Sequence, residues 1–227
     1  LEMSVHCSCF LLFDECHKLV KDADYRSDIT LPIDDFFKFD QKALVSATPI
    51  ELNDPRFKEQ NFKMIEIQPT FDYKKELWLH HTNNTLQALK TVLSKLDNEE
   101  TAPLPICVFI NSTDIIYSLM KQLDLLEDSA VFCAPKSVDK LKKNRFCNVY
   151  EEWNKDKMKR YNFFTSRFFN AVDMELEEQP HVIMLTDVYF AEHTMIDPYT
   201  DAIQIVGRFR NGVSSITYIS NTKKGLP

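Results

Sequence analysis

Asp14, Glu15, Cys16 and His17 follow directly on Cys9-Phe10-Leu11-Leu12-Phe13, five apolar residues in a row. Two adjacent carboxylates and a histidine are costly to bury. The pattern therefore suits the end of a buried strand, where the backbone stops and a ligand begins. There Asp14 can hold Mg²⁺, a hard cation that takes carboxylate oxygen, directly or through water. Glu15 can orient and deprotonate an attacking water. The bland alternative is a pair of strand-end acids that only cap a turn.

A second run has the same form: Ala43-Leu44-Val45 leads into Ser46-Ala47-Thr48-Pro49. The small hydroxyls of Ser46 and Thr48 can hydrogen-bond an acidic cluster without filling a cleft. A third set lies between Asp197 and Gly212. Asp197 and Pro198 read as an N-cap and first helical position. Gln204 and Arg208, four residues apart, then share a helix face with Gly207 beside them, while Ala202, Ile203 and Val206 turn to the sheet. A glutamine and an arginine offered from one face suit a γ-phosphate. Arg210 would lie off that face by roughly 100° on a regular helix, and Asn211-Gly212 reads as a C-cap whose loose turn can bring it back. Two further strand ends carry polar residues, Asn111-Ser112 after Cys107–Ile110, and Thr165-Ser166 after Tyr161–Phe164, with Asp173 in the loop beyond.

These groups need a scaffold that sets strand ends side by side. Apolar runs recur at 9–13, 42–46, 63–67, 106–110, 130–134, 161–165, 181–185 and 216–220. Most are continuous rather than alternating, as in parallel strands covered on both faces. Helical patterns lie between them. Leu86, Leu89, Val92, Leu93 and Leu96 follow the cap candidates Asn83 and Asn84, and Ser112 can cap a helix striped by Ile115, Ile116, Leu119, Met120 and Leu123. Strands alternating with helices predict an α/β fold with a mostly parallel sheet, whose ligands sit at the carboxyl ends of the strands. A break at 68–75, Gln-Pro-Thr-Phe-Asp-Tyr-Lys-Lys, reads as a linker between two such units.

The chain has 227 residues, of which 44% are hydrophobic and 27% charged, an ordinary globular composition. No apolar run approaches the ~20 residues of a membrane span, and the start lacks a secretion signal, so the expected location is cytoplasmic. Six scattered cysteines read as reduced, mostly buried thiols. A metal cluster of Cys7, Cys9, Cys16 and His17 is set aside because no second Cys/His pair stands at zinc spacing. The net charge of −7 argues against coating nucleic acid by bulk electrostatics. From Lys136 to Arg167, however, ten basic residues face four acids, a local +6 that leaves −13 elsewhere. Phe146, Tyr150, Trp153 and Tyr161 interleave with that strip. They could stack on bases, or they could be core aromatics beneath a solvated helix.

The ordered set resembles the motifs of superfamily 2 helicases. Asp14-Glu15-Cys16-His17 resembles motif II in its DECH spelling, Ser46-Ala47-Thr48 motif III, Cys107–Ser112 motif IV, Phe163–Met174 motif V, and Gln204–Asn211 motif VI. Two positions depart from the family pattern: Asn211 stands where motif VI has its last arginine, and Ala171 where motif V has glycine. The resemblance implies two RecA-like parallel-sheet domains, with 1–70 as the C-terminal part of the first, itself incomplete, and 71–227 as the second. It implies ATP and Mg²⁺ as cofactors and nucleic acid, DNA rather than RNA, as partner. Asp14, Glu15, His17, Gln204, Arg208 and Arg210 would be catalytic, and Asp14, Asp173, Gly207 and Arg208 would bind nucleotide. Asp14 and Glu15 would hold Mg²⁺. Ser46, Thr48, Asn111, Ser112, Thr165 and Ser166 would couple the cycle to the nucleic-acid strand.

No GxxxxGK[ST] loop occurs in these residues; Gly207 to Gly212 has the spacing but Val213 follows it. The expectation is a piece of a longer motor whose missing first-domain segment carries that loop. Alone it would bind ATP weakly and not turn it over. The competing reading is a non-catalytic nucleic-acid-binding or assembly module that kept the fold. A metal-dependent nuclease is disfavoured because no further carboxylates gather near the strand ends in sequence.

Overall fold

Apolar strand runs and amphipathic helices alternate through most of the computed structural model, which describes residues 6–16, 31–48, 53–68, 70, 74–98, 103–170 and 172–223. The chain divides into two compact units, residues 1–72 and 73–227.

In the smaller unit, β1 (Phe10–Phe13) pairs in parallel with β2 (Gln41–Leu44), with Phe13 opposite Leu44. Between them in sequence comes α1 (Leu31–Lys38), and after them α2 (Pro55–Glu59), capped by the Asp54 carboxylate. Parallel pairing needs a crossover of this kind. One sheet face carries Leu11, Phe13 and Leu44 against a knot of Phe36, Phe37, Phe57 and Phe62. Their rings meet edge-on or tilted, with centroids 4.9 to 6.2 Å apart. Arg56 closes the knot from outside. It bonds Asp34 and Asp54 and lies 4.3 Å over the Phe37 ring.

Two expectations fail here. β1 is not covered on both faces: its burial alternates, and Phe10 and Leu12 are exposed. The run 63–67 is not a strand. Met64, Ile65 and Ile67 are 80%, 83% and 89% exposed, because no strand lies beside them among the described residues. Apolar content alone made that run look like a strand.

The larger unit opens with the edge strand β3 (Trp78–His81), too short and too exposed to register as an apolar run. There follow α3 (Thr85–Asp97), β4 (Ile106–Phe109), α4 (Thr113–Gln122), β5 (Ser129–Phe132), α5 (Pro135–Lys143), β6 (Val149–Tyr150), β7 (Tyr161–Phe164), β8 (His181–Thr186), α6 (Asp201–Gly207) and β9 (Ser215–Ser220). All seven strands pair in parallel, in the order β3-β9-β8-β4-β7-β5-β6. Asn84 and Ser112 cap α3 and α4 as the sequence predicts. Odd and even strand residues divide between two cores. Ile106, Val108 and Ile110 join α3, α4 and α5 on one face, and Cys107 and Phe109 join α6 and the segment 168–176 on the other. Phe109, Phe164 and Phe132 are register partners on three neighbouring strands, and their rings stack at 5.0 and 4.9 Å.

The interleaved aromatics of the basic strip belong to these cores. Phe146 and Tyr161 are buried, and Tyr150 and Trp153 pack against the second core. Phe146 and Tyr161 are therefore closed to base stacking, Tyr150 and Trp153 are only partly buried, and α5 is a solvated lysine helix resting on Val138 and Leu141. The thiols also differ from expectation, with Cys7, Cys9 and Cys147 exposed and Cys16, Cys107 and Cys133 buried. Arg160 is spent on structure. It pairs with Asp97 at 2.8 Å and donates to the carbonyls of Leu96 and Leu104, while the Tyr161 hydroxyl donates to Asp97 at 2.7 Å.

Burial, then the hydrogen bond to Asp97 and its charge, push the Tyr161 hydroxyl up to about 12 from its ordinary 10.0, with Arg160 opposing. The folded state thus holds this proton where the unfolded chain releases it. The stability it contributes is whole below pH 10 and is lost as pH rises towards about 12. Tyr161→Phe is expected to flatten the fall of the urea midpoint across that window. An identical alkaline slope in both proteins would refute the assignment.

Candidate functional site

In parallel pairing the carboxyl ends of β1 and β2 lie at the same edge, which brings Asp14-Glu15 alongside Ser46-Ala47-Thr48. The backbone carries the pairing past both strands: Val45 N–H donates to Phe13 O at 2.9 Å and Cys16 N–H to Val45 O at 3.1 Å. Asp14 is exposed and its Oδ1 accepts the Glu15 N–H at 2.8 Å. Glu15 takes φ +54°, the left-handed region that side chains with a Cβ enter at a cost of about 1 kcal/mol or more. Thr48 is fully buried, and its hydroxyl lies 3.3 Å from that of Ser46. His17 and Pro49 lie outside the described residues, as does Ala171.

In the larger unit two distant segments meet. Met174 N–H donates to Arg208 O at 2.8 Å, and Met174 and Phe209 form a parallel bridge with both side chains buried. That stitch sets Asp173 between two arginines. Its Oδ1 is 3.2 Å from Arg208 Nη1 and its Oδ2 is 2.7 Å from Arg210 Nη2. Arg208 also donates from Nη2 to Gln204 Oε1 at 3.1 Å, from Nε to Gln204 O at 3.3 Å and from Nη1 to Asn170 O at 3.3 Å. Gln204 and Arg208 do share a face, but Gln204 is buried.

The helix beneath them differs from the sequence reading at both ends. Asp197 Oδ1 caps a turn at Tyr199, and α6 begins only at Asp201. Ile205, not Ile203, reaches the core, and Ile203 is exposed. The helix stops at Gly207 with Arg208 as its C-cap, so Arg210 does not sit on a helix at all. It flanks buried Phe209 from the other side, and both arginines reach the same carboxylate. Asn211 Nδ2 donates to Leu176 O at 2.7 Å, and Gly212 turns the chain at φ +86°. These residues fasten a loop rather than cap a helix. A Cβ on Gly207 would meet nothing within 4 Å, so no close approach within the fold requires glycine there.

The crossover from β4 runs one way along the sheet and that from β8 the other, and the two strands are neighbours. Such a switch point opens a crevice at the carboxyl edge. Asn111 spans it, donating to His193 O at 3.0 Å and accepting from Ser166 N–H at 3.4 Å. Ser112 Oγ is committed to the α4 cap, and Thr165 is buried. Beside the crevice is a cluster absent from the sequence-derived set. Asp187, 4% exposed, accepts from Thr85 Oγ1 at 2.8 Å and Asn221 Nδ2 at 2.7 Å, while its own N–H donates to Thr194 Oγ1. A weaker form of the signal that picks out Asp14 could have found it: Asp187 follows the apolar run 181–185 with one threonine between.

Among the described residues no group of three or more His, Cys, Asp or Glu side chains could hold a metal ion, and no helix is long and apolar enough to cross a membrane. No protein-family model and no curated protein matches the chain.

Asp187→Ala would leave the Thr85 and Asn221 donors buried without their acceptor. It is expected to lower stability by about 3 kcal/mol in urea unfolding. A loss under about 0.5 kcal/mol, the range of ordinary surface changes, would deny Asp187 this role.

Proposed function

We propose that the chain carries part of the motor of an ATP-dependent nucleic-acid helicase or translocase, built on two RecA-like domains of which residues 1–70 belong to an incomplete first one. The observation that carries the reading is the meeting of Asp173, Gln204, Arg208 and Arg210, residues from two separate stretches of chain, in one charged cluster. Two guanidiniums against one carboxylate leave an excess positive charge suited to phosphate. The pairing of β1 with β2, which sets Asp14-Glu15 beside Ser46 and Thr48, supports it further. So does the bare apolar face of β1, which asks for further structure around a two-stranded sheet.

Mg²⁺ fits the residues present, because it keeps several waters and needs only one or two carboxylates beside substrate phosphates. Asp14 and Glu15 would hold it, and when bound it would neutralise charge on the β- and γ-phosphates. Glu15 accepts the proton of the attacking water. Gln204 holds Arg208 in one orientation, and Arg208 and Arg210 neutralise charge on the transferred phosphoryl group. Ser46, Thr48, Asn111, Thr165 and Ser166 carry the change to a nucleic-acid strand.

A second reading, a nucleic-acid-binding or assembly module without turnover, is favoured by one feature. Asn211 stands where the motif has an arginine and is occupied in holding Leu176. In the natural polypeptide that contains these residues, Glu15→Gln is expected to lower kcat for ATP hydrolysis by about 100-fold or more while leaving ATP binding in place. Unchanged turnover would remove Glu15 from its role. Salt-sensitive single-strand binding with no ATP turnover in either protein would establish the module instead.

A further inference from the structure

We propose that Asp173 is a latch on the anion site, parking Arg210 against the anchored Arg208 until an oligophosphate takes its place. The inference rests on the reading above that these arginines meet phosphate, and it concerns how access to them is regulated.

The two arginines are held very differently. Arg208 is 15% exposed, and four of its five N–H groups are engaged, by the Gln204 carbonyl, Gln204 Oε1, the Asn170 carbonyl and Asp173. It is a fixed post. Arg210 is 51% exposed, and among the described residues its side chain has one hydrogen-bonded partner, Asp173 Oδ2 at 2.7 Å. It can leave by breaking one pair. Asp173 is itself 45% exposed, so the pair stands in water and is weak.

A phosphate chain offers several anionic oxygens where Asp173 offers one carboxylate, and it can engage the planar fork of Arg210 in two bonds. The anion and the carboxylate then compete for the same guanidinium. Asp173 lowers affinity for phosphate but keeps Arg210 positioned and paired until phosphate arrives. The loop does not need the carboxylate charge to stay in place, because the Met174–Arg208 backbone bond and the buried Met174 and Phe209 hold it.

The test is calorimetric titration of sodium tripolyphosphate into the 227-residue chain at low and high salt. Asp173→Asn keeps size and shape and removes the competing charge. It is expected to bind about fivefold tighter than the native chain, with an unchanged urea midpoint and a gain that shrinks as salt rises. Adding Arg210→Ala should cancel the gain, and Asp173→Glu should restore native affinity. If Asp173→Asn lowers the unfolding midpoint, Asp173→Ser carries the same comparison. Equal or weaker binding by Asp173→Asn and Asp173→Ser, with binding lost in Arg210→Ala, would overturn the latch and leave the phosphate reading standing. A gain that survives Arg210→Ala would also overturn it. No tripolyphosphate binding by any of these proteins would overturn both.

Discussion

Parallel pairing is the constraint on which everything else in the larger unit depends. Seven strands that all run the same way deliver every carboxyl end to one edge, whatever the order in sequence. Asn111, Ser166 and Asp187 are far apart along the chain and share that edge only because β4, β7 and β8 are neighbours. Register then decides which residues meet. The stacked ladder of Phe109, Phe164 and Phe132 spans the three strands from β4 to β5, and a one-residue slip would turn these rings out of their core. The same residues that bury the sheet thus align its functional edge.

The charged cluster obeys a different rule, since none of its parts comes from a strand of the sheet. Phe209 must reach the second core, and it does so by leaving the helix and pairing with Met174. That requirement ends α6 at Gly207 and puts Arg208 and Arg210 on either side of a buried ring. Their convergence on Asp173 is therefore a consequence of packing. The spacing that looked wrong for a helix is right for a chain that stops being one.

This explains which parts could be read from the residues. The α/β class, the parallel sheet, α3 and α4 with their caps, and seven of eight apolar runs as strands follow from local hydrophobic pattern. In β4, β5, β7 and β8 burial on two faces leaves a continuous apolar signature, whereas β1 and β2 carry apolar runs without that burial. The run 63–67 has that signature without a neighbouring strand among the described residues, and β3 has a neighbour without the signature. Pairing is a non-local fact in both cases. The partners of Asp173 were illegible for the same reason. Spacing places Gln204 and Arg208 on one face, but nothing in it shows that Arg210 leaves the helix or that Asp173 lies between the arginines. The basic strip failed differently: charge pattern located exposed lysines correctly, but Phe146 and Tyr161 had to be weighed against a core that the pattern does not reveal.

The chain has only three glycines, so left-handed backbone must be filled by residues that resist it. Among the described residues with side chains, Asn61, Asp124, Arg145 and Glu15 take positive φ. Three of these have an ordinary explanation. Asn61 follows the C-cap Gln60, Asp124 follows Leu123, and Arg145 follows Asn144, so each occupies the position past a helix end where glycine usually sits. Glu15 ends no helix. It lies one residue past Asp14 at the end of β1, and the strain there offsets no helix-capping demand. Backbone strain of this kind clusters at active sites, ligand clamps and switch regions. That sets Glu15 apart from the other three on backbone grounds alone, independently of any motif.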